Sequence, residues 1–223
     1  MKRVLFEKFH ELSELKTAKI ALKKNYRENV KILIADDETF LYYEELRNAK
    51  FNITKVDDIQ DLLQAEMYPI IICDIKGVGK KFGSKKEGAY VVEELKKRYP
   101  FKQYAIYSGS MNQFGLMTFP QGVYPINKDI SVEEWAQNID ELIKKVTDPS
   151  EVWRTIRNYL MSEDVSLISI IRLESEYVDM VINHPDKLQF FPSDKKGYEL
   201  SSDVRGVVQS LVAGVILALA HIG

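Results

Sequence analysis

The chain has little of what usually announces a function: one cysteine, three histidines and two tryptophans in 223 residues. The lone thiol, Cys73, closes no intramolecular disulfide, and His10, His184 and His221 are too scattered to match a zinc-ligand spacing. Long apolar runs are also missing. The uncharged stretch 207–220 is shorter than the roughly 20 residues needed to span a bilayer, so a buried helix is expected there rather than a membrane anchor. The segment Met1-Lys2-Arg3-Val4-Leu5-Phe6 lacks the apolar core of a signal peptide, which makes the cytoplasm the expected location.

Charge of one sign is scarce overall, with a formal net charge of -2, but its distribution is uneven. Residues 1–29 carry eight Lys and Arg against four Asp and Glu, whereas residues 147–223 carry seven against eleven. An acidic last third is a poor electrostatic match for a phosphate backbone, so no nucleic-acid partner is expected.

What the chain does have is a series of short apolar runs, each closed by a polar residue. Asp36 and Asp37 follow Ile32-Leu33-Ile34-Ala35, Asp74 follows Ile70-Ile71-Ile72-Cys73, Ser108 follows Tyr104-Ala105-Ile106-Tyr107, and Lys128 follows Val123-Tyr124-Pro125-Ile126-Asn127. Such runs read as buried parallel strands, and open parallel sheets collect functional groups at the carboxyl ends of their strands. Between the runs lie helical patterns at 39–49, 59–66, 89–98 and 131–146. Repeated strand and helix alternation predicts a doubly wound five-stranded parallel sheet with right-handed crossovers, an α/β fold.

Three regions are expected: an N-terminal helical extension over 1–29, the α/β domain over 30–146, and a smaller all-helical domain over 150–223. Asp148-Pro149-Ser150 marks the second boundary, since Pro149 disfavours helix at the residue before it and Asp148 can cap the helix that follows. Helices are expected at 151–161, 166–183 and 203–221, with an irregular stretch at 187–200. In the last helix Gly206, Ser210, Gly214 and Ala218 recur every fourth residue, a spacing that permits close helix approach, either within the domain or in a homodimer.

The motifs Ile34-Ala35-Asp36-Asp37-Glu38, Cys73-Asp74, Tyr107-Ser108-Gly109 and Asn127-Lys128, in this order, resemble the receiver domain of two-component response regulators, including the chemotaxis-regulator type. The resemblance spans about residues 30–146 and implies a flavodoxin-like fold. It further implies that Asp74 is the phosphoacceptor and that Asp36, Asp37, Asp74 and the backbone carbonyl of Lys76 hold Mg2+. By the same resemblance Lys128 neutralises the phosphoryl oxygens and Ser108 hydrogen-bonds the phosphate. Its partners would be a sensor histidine kinase or phosphotransfer protein and an output protein reached through the helical domain. Singly, each residue has a plainer explanation: Asp36 as a helix cap, Asp74 as a strand end, Lys128 as a surface charge.

Departures from the receiver pattern stand beside the matches. The segment after Asp74 runs long and basic from Ile75 to Gly88, with Lys80, Lys81, Lys85 and Lys86 expected to attract an acidic partner surface or a phosphodonor. Lys128 precedes Asp129 where the family has proline, and the aromatic of the fifth strand, Tyr124, stands one position early. Three function classes follow: a phosphorylated regulator, a degenerate receiver that binds partners without phosphorylation, and an Asp-nucleophile phosphatase. The third is disfavoured because Lys76 occupies the position, two after Asp74, where such enzymes place a second acid. The chain is therefore read as a non-enzyme, apart from self-phosphorylation by a phosphodonor.

Overall fold

The computed structural model describes residues 9–18, 26–109, 122–193 and 198–219. The expected helices within 1–8 and 19–25, the stretch 110–121 and the last residues of the final helix lie outside them. The chain divides into two compact units, one formed by residues 25–146 and one by residues 1–24 with 147–223.

The first unit is built on five parallel strands, β1 Lys31–Ala35, β2 Asn52–Val56, β3 Ile70–Asp74, β4 Gln103–Ser108 and β5 Val123–Asn127, in the order β2-β1-β3-β4-β5. This is the doubly wound, flavodoxin-like order, with the strand sequence reversing between β1 and β3. β3 is buried at every position, as befits a central strand covered on both faces. Alternation along the strands then separates two cores. Ile32, Ile34, Ile72, Ala105 and Tyr107 point to one face with Phe40, Trp135 and Ile139. Leu33, Ala35, Ile71, Cys73 and Ile106 point to the other with Ile59, Val91 and Leu95.

The expected helix over 39–49 forms only as a short helix over Tyr43–Asn48, because the chain leaving β1 first turns Phe40 into the core. The expected helix over 59–66 is a 3-10 turn over Leu62–Ala65, started by a capping box in which Asp61 accepts from Leu63 N–H and Gln64 reaches back to the Asp61 N–H. Regular helices cover Gly88–Arg98 and Val132–Thr147, close to expectation.

The second unit packs helices Pro149–Ser162, Leu167–Asn183 and Ser202–Ala218 around Trp153, Tyr177 and Phe191, with the Trp153 and Tyr177 rings stacked at 5.2 Å. All three helices have side-chain N-caps, Asp148, Ser166 and Ser201, which satisfy otherwise unpaired N–H groups. The region expected as one N-terminal extension is shared between the units. Leu15, in the short helix Glu14–Thr17, is part of the second unit's core, whereas Arg27 pairs with Asp140 (2.5 Å) in the first.

Glu176 is buried in the second unit. Its carboxylate accepts from Tyr198 Oη and from Ser193 N–H (3.2 Å), so both oxygens are used by neighbours of the same core. Helical spacing alone gives Glu176 no catalytic role and does not show which neighbours it meets. Burial raises the proton affinity of the Tyr198 phenol, and the bond to Glu176 adds to it.

Candidate functional site

The carboxyl edge of the sheet brings together the residues that closed the apolar runs. Asp36 and Asp37 leave β1 and Asp74 ends β3, the two strands that flank the reversal in strand order, where open parallel sheets place their ligands. Asp36 is fully buried, Asp74 is nearly so and Asp37 is exposed. One carboxylate oxygen from each lies within 4.8 Å of the others. This all-oxygen donor set suits a hard divalent cation such as Mg2+, which favours carboxylates and retains several waters.

Lys128, directly after β5, reaches into the cluster. Its Nζ lies 3.1 Å from Asp74 Oδ2, 3.7 Å from Asp36 Oδ2 and 3.4 Å from Glu38 Oε2. Burial works against the charge on this ammonium, but the hydrogen bond and charge of Asp74, with Asp36 and Glu38, outweigh it and raise its proton affinity. Asp74 is held above the usual carboxyl range, first by burial and then by the charge of Asp36. Lys128 and the Lys76 N–H, 3.3 Å from Asp74 Oδ1, act in the opposite direction. Ser108, the last residue of β4, is buried beside the site, and its carbonyl accepts from Lys128 N–H (2.9 Å). Lys76 lies in the bend after β3, so the expected ligand and anion-binding residues all fall on one sheet edge.

Several participants escaped the sequence reading. Tyr107 pairs with Asp74 in the sheet register and reaches across β3 to donate from its hydroxyl to Asp36 Oδ2 at 2.5 Å. Burial, reinforced by this bond, raises the phenol's proton affinity. Its ring meets Trp135 edge-on at 5.3 Å and Phe40 at 6.1 Å, and Phe40 meets Trp135 at 5.0 Å. The sequence signal for Tyr107 is partial: a tyrosine inside a largely buried strand needs a partner for its hydroxyl, but the pattern does not say which. Glu38 N–H occupies the other oxygen of Asp36 at 2.9 Å.

The long segment after Asp74 is tied down at several points. Gly77 N–H donates to Glu87 Oε2 (2.9 Å), Gly79 N–H to Asp58 Oδ1 (2.5 Å) and Gly88 N–H to the Ile75 carbonyl (3.0 Å). Gly88 touches the site through its backbone: a Cβ there would lie 1.9 Å from the Asp74 carbonyl oxygen. Lys80 Nζ lies 2.7 Å from Asp37 Oδ2, while Lys86 turns to Glu93 at 3.1 Å.

The early position of Tyr124 is real. β5 pairs with β4 without a bulge, so Pro125 stands three residues before Lys128, and Tyr124 packs toward Asn138 and Lys145. A one-residue shift in a strand changes the face on which a side chain lies.

No family model matches the chain, and no curated protein matches it. Solved structures do. A response regulator receiver protein from Sinorhizobium medicae WSM419 is 21% identical over 51% of this chain and 93% of its own, with a TM-score of 0.39. A two component transcriptional regulator AraC from Clostridium phytofermentans ISDg is 20% identical over 52% of this chain and 94% of its own, with a TM-score of 0.38. Full-length FixJ from B. japonicum is 16% identical over 86% of this chain and 91% of its own, with a TM-score of 0.42. Among the described residues, no helix is long and apolar enough to cross a membrane.

Proposed function

We propose that the chain is a cytoplasmic phosphorelay receiver whose Asp74 accepts a phosphoryl group and whose helical unit passes the change to a protein partner. The observation that carries this reading is the placement of Asp74: buried at the reversal point of a parallel sheet, within hydrogen-bond reach of Lys128 and beside a second buried carboxylate, Asp36. A carboxylate so placed is a nucleophile with its charge compensation already arranged.

In the proposed reaction an Asp74 carboxylate oxygen bonds to the phosphorus of a donor. The donor's bond to phosphorus, P–N in a phosphohistidine or P–O in an acyl phosphate, breaks with its electron pair leaving on the donor. Lys128 stays beside the acyl phosphate and offsets the charge on its oxygens, and the Ser108 hydroxyl donates to one of them. Mg2+, held by Asp36, Asp37, Asp74 and the Lys76 carbonyl, would supply further positive charge to the phosphoryl oxygens. The donor would be a sensor histidine kinase or a phosphotransfer protein. The chain would act as an acceptor and not as a phosphatase, since Lys76 stands where a second acid would be required.

Intact-mass measurement after incubation with acetyl phosphate and Mg2+ tests this directly. One phosphoryl adduct is expected, absent without the metal and absent in Asp74→Asn; an unmodified protein under all conditions would falsify the phosphoacceptor role.

The second reading, a receiver that binds its partner without phosphorylation, is favoured by how fully the chain's own groups occupy the acidic residues. Tyr107 holds Asp36, Lys80 holds Asp37 and Lys128 holds Asp74. On this reading beryllofluoride with Mg2+ leaves hydrogen exchange unchanged throughout the chain, whereas a phosphorelay receiver shows altered protection at the sheet edge.

A further inference from the structure

We propose that Lys80 is a tethered counter-cation of Asp37, which a divalent cation must displace, so that this one side chain sets how tightly the site holds its metal. The inference rests on the receiver-site reading above. It begins from the way the segment after β3 is built. Gly77 has φ 80°, a conformation that favours glycine, and its backbone passes close to the Asp37 carboxylate, where a Cβ would fall 1.9 Å from Oδ1. Gly79, at φ 79°, is fixed by its N–H to Asp58 and starts the 3-10 turn Lys80–Phe82. At the end of that turn the Phe82 ring lies against Tyr90 at 6.1 Å. Two glycines in the left-handed region and anchors on both sides thus bring the Lys80 ammonium to Asp37 Oδ2 at 2.7 Å.

The partner is an oxygen-bearing group the metal needs, because Asp37 is one of the three carboxylates that converge. It is also the exposed one. Asp36 is held by Tyr107 and Glu38 N–H, and Asp74 by Lys128 and Lys76 N–H, in buried surroundings. The Lys80 side chain is 63% exposed, so its ammonium can swing into water without losing solvation. An exposed pair of this kind is weak enough to be exchanged. A divalent ion arriving at Asp37 would feel the neighbouring ammonium as a like charge a few ångströms away, and its binding would weaken accordingly. Lys128 supplies a second ammonium, but its contacts are with Asp74, Asp36 and Glu38.

The test is a Mn2+ titration of the full chain by isothermal calorimetry, with Mg2+ competition, in four proteins: wild type, Lys80→Met, Lys80→Arg and Lys81→Met. Lys81→Met changes the net charge by the same amount next door, and so separates a local effect from a global one. Lys80→Met is expected to tighten Mn2+ binding roughly three- to tenfold. Lys80→Arg and Lys81→Met should stay within about twofold of wild type, and the gain from Lys80→Met should shrink in high salt. Equal affinities for wild type and Lys80→Met, or equal tightening by Lys81→Met, would overturn the role of Lys80 while leaving the metal site standing. Absence of Mn2+ binding in all four proteins would remove the metal site itself, and this inference with it.

Discussion

Both units bury a carboxylate against a tyrosine hydroxyl, and the two pairs are used differently. In the helical unit Glu176 accepts from Tyr198 and Ser193 N–H, all within one core, and among the described residues it belongs to no carboxylate cluster that could hold a metal. In the α/β unit Asp36 accepts from Tyr107, yet the same oxygen lies 3.7 Å from Lys128, and two further carboxylates converge beside it. The first arrangement is closed and stabilises a fold. The second leaves negative charge concentrated at a sheet edge, which costs stability unless cations are present. The same chemical pair thus serves packing in one unit and a site in the other, and the number of neighbouring charges makes the difference.

Each unit holds one of the two tryptophans, Trp135 in the first and Trp153 in the second, so replacing one lets fluorescence follow the other unit alone. The largest effect is expected from Glu176→Ala. It leaves the Tyr198 hydroxyl and Ser193 N–H without their buried acceptor and should destabilise the helical unit by about 3 kcal/mol. The check is urea unfolding read by Trp153 in a Trp135→Phe background. A loss below about 1 kcal/mol would mean that Glu176 is solvated and the contrast with Asp36 is false.

Next come the two phenols. Tyr198→Phe should cost roughly 1–2 kcal/mol, because a buried carboxylate oxygen loses its hydroxyl donor. Tyr107→Phe should cost less, since Lys128 remains near the same Asp36 oxygen. Denaturant midpoints of the two variants, each followed by the tryptophan of its own unit, would contradict the comparison if Tyr107→Phe proved the more damaging.

The smallest effect has the opposite sign. Burial and the charge of Asp36 raise the folded-state proton affinity of Asp74, so its ionisation works against folding once the pH rises above the ordinary carboxyl value. Asp74→Asn should therefore raise the melting temperature by about 2–4 °C at neutral pH. The gain should vanish below about pH 4, where the aspartate is protonated in folded and unfolded chains alike. Melting curves across that range would refute the sign if Asp74→Asn were less stable at pH 7.

The strand-end half of this contrast is legible in the sequence, and the tyrosine–carboxylate pairing is not. Asp36, Asp74, Ser108 and Lys128 were recognisable because each ends an apolar run, and strand ends in a parallel sheet share an edge. Tyr107 and Glu176 were not. In a strand pattern a tyrosine counts as apolar and gives no sign of where its hydroxyl goes; in a helical pattern Glu176 looks like any solvated charge. Lys80 was visible as one of several loop lysines, but its pairing with Asp37 depends on two glycine conformations and on Asp58, residues far apart in the chain. The helix over 39–49 was overextended for a similar reason: Phe40 is bound by tertiary packing against Tyr107 and Trp135, which local periodicity does not contain.

Gly88 has a consequence for how this sequence can vary. The first residue of its helix rests against the backbone oxygen of Asp74, with no room for a β-carbon. Gly206, in the last helix, has open space around the same point. In a saturation library screened for folded protein, position 206 would fill with alanine and larger residues, while position 88 would return one codon family. A lineage that lost this glycine would lose the backbone geometry at Asp74 while every acidic residue of the site was still spelled in its gene.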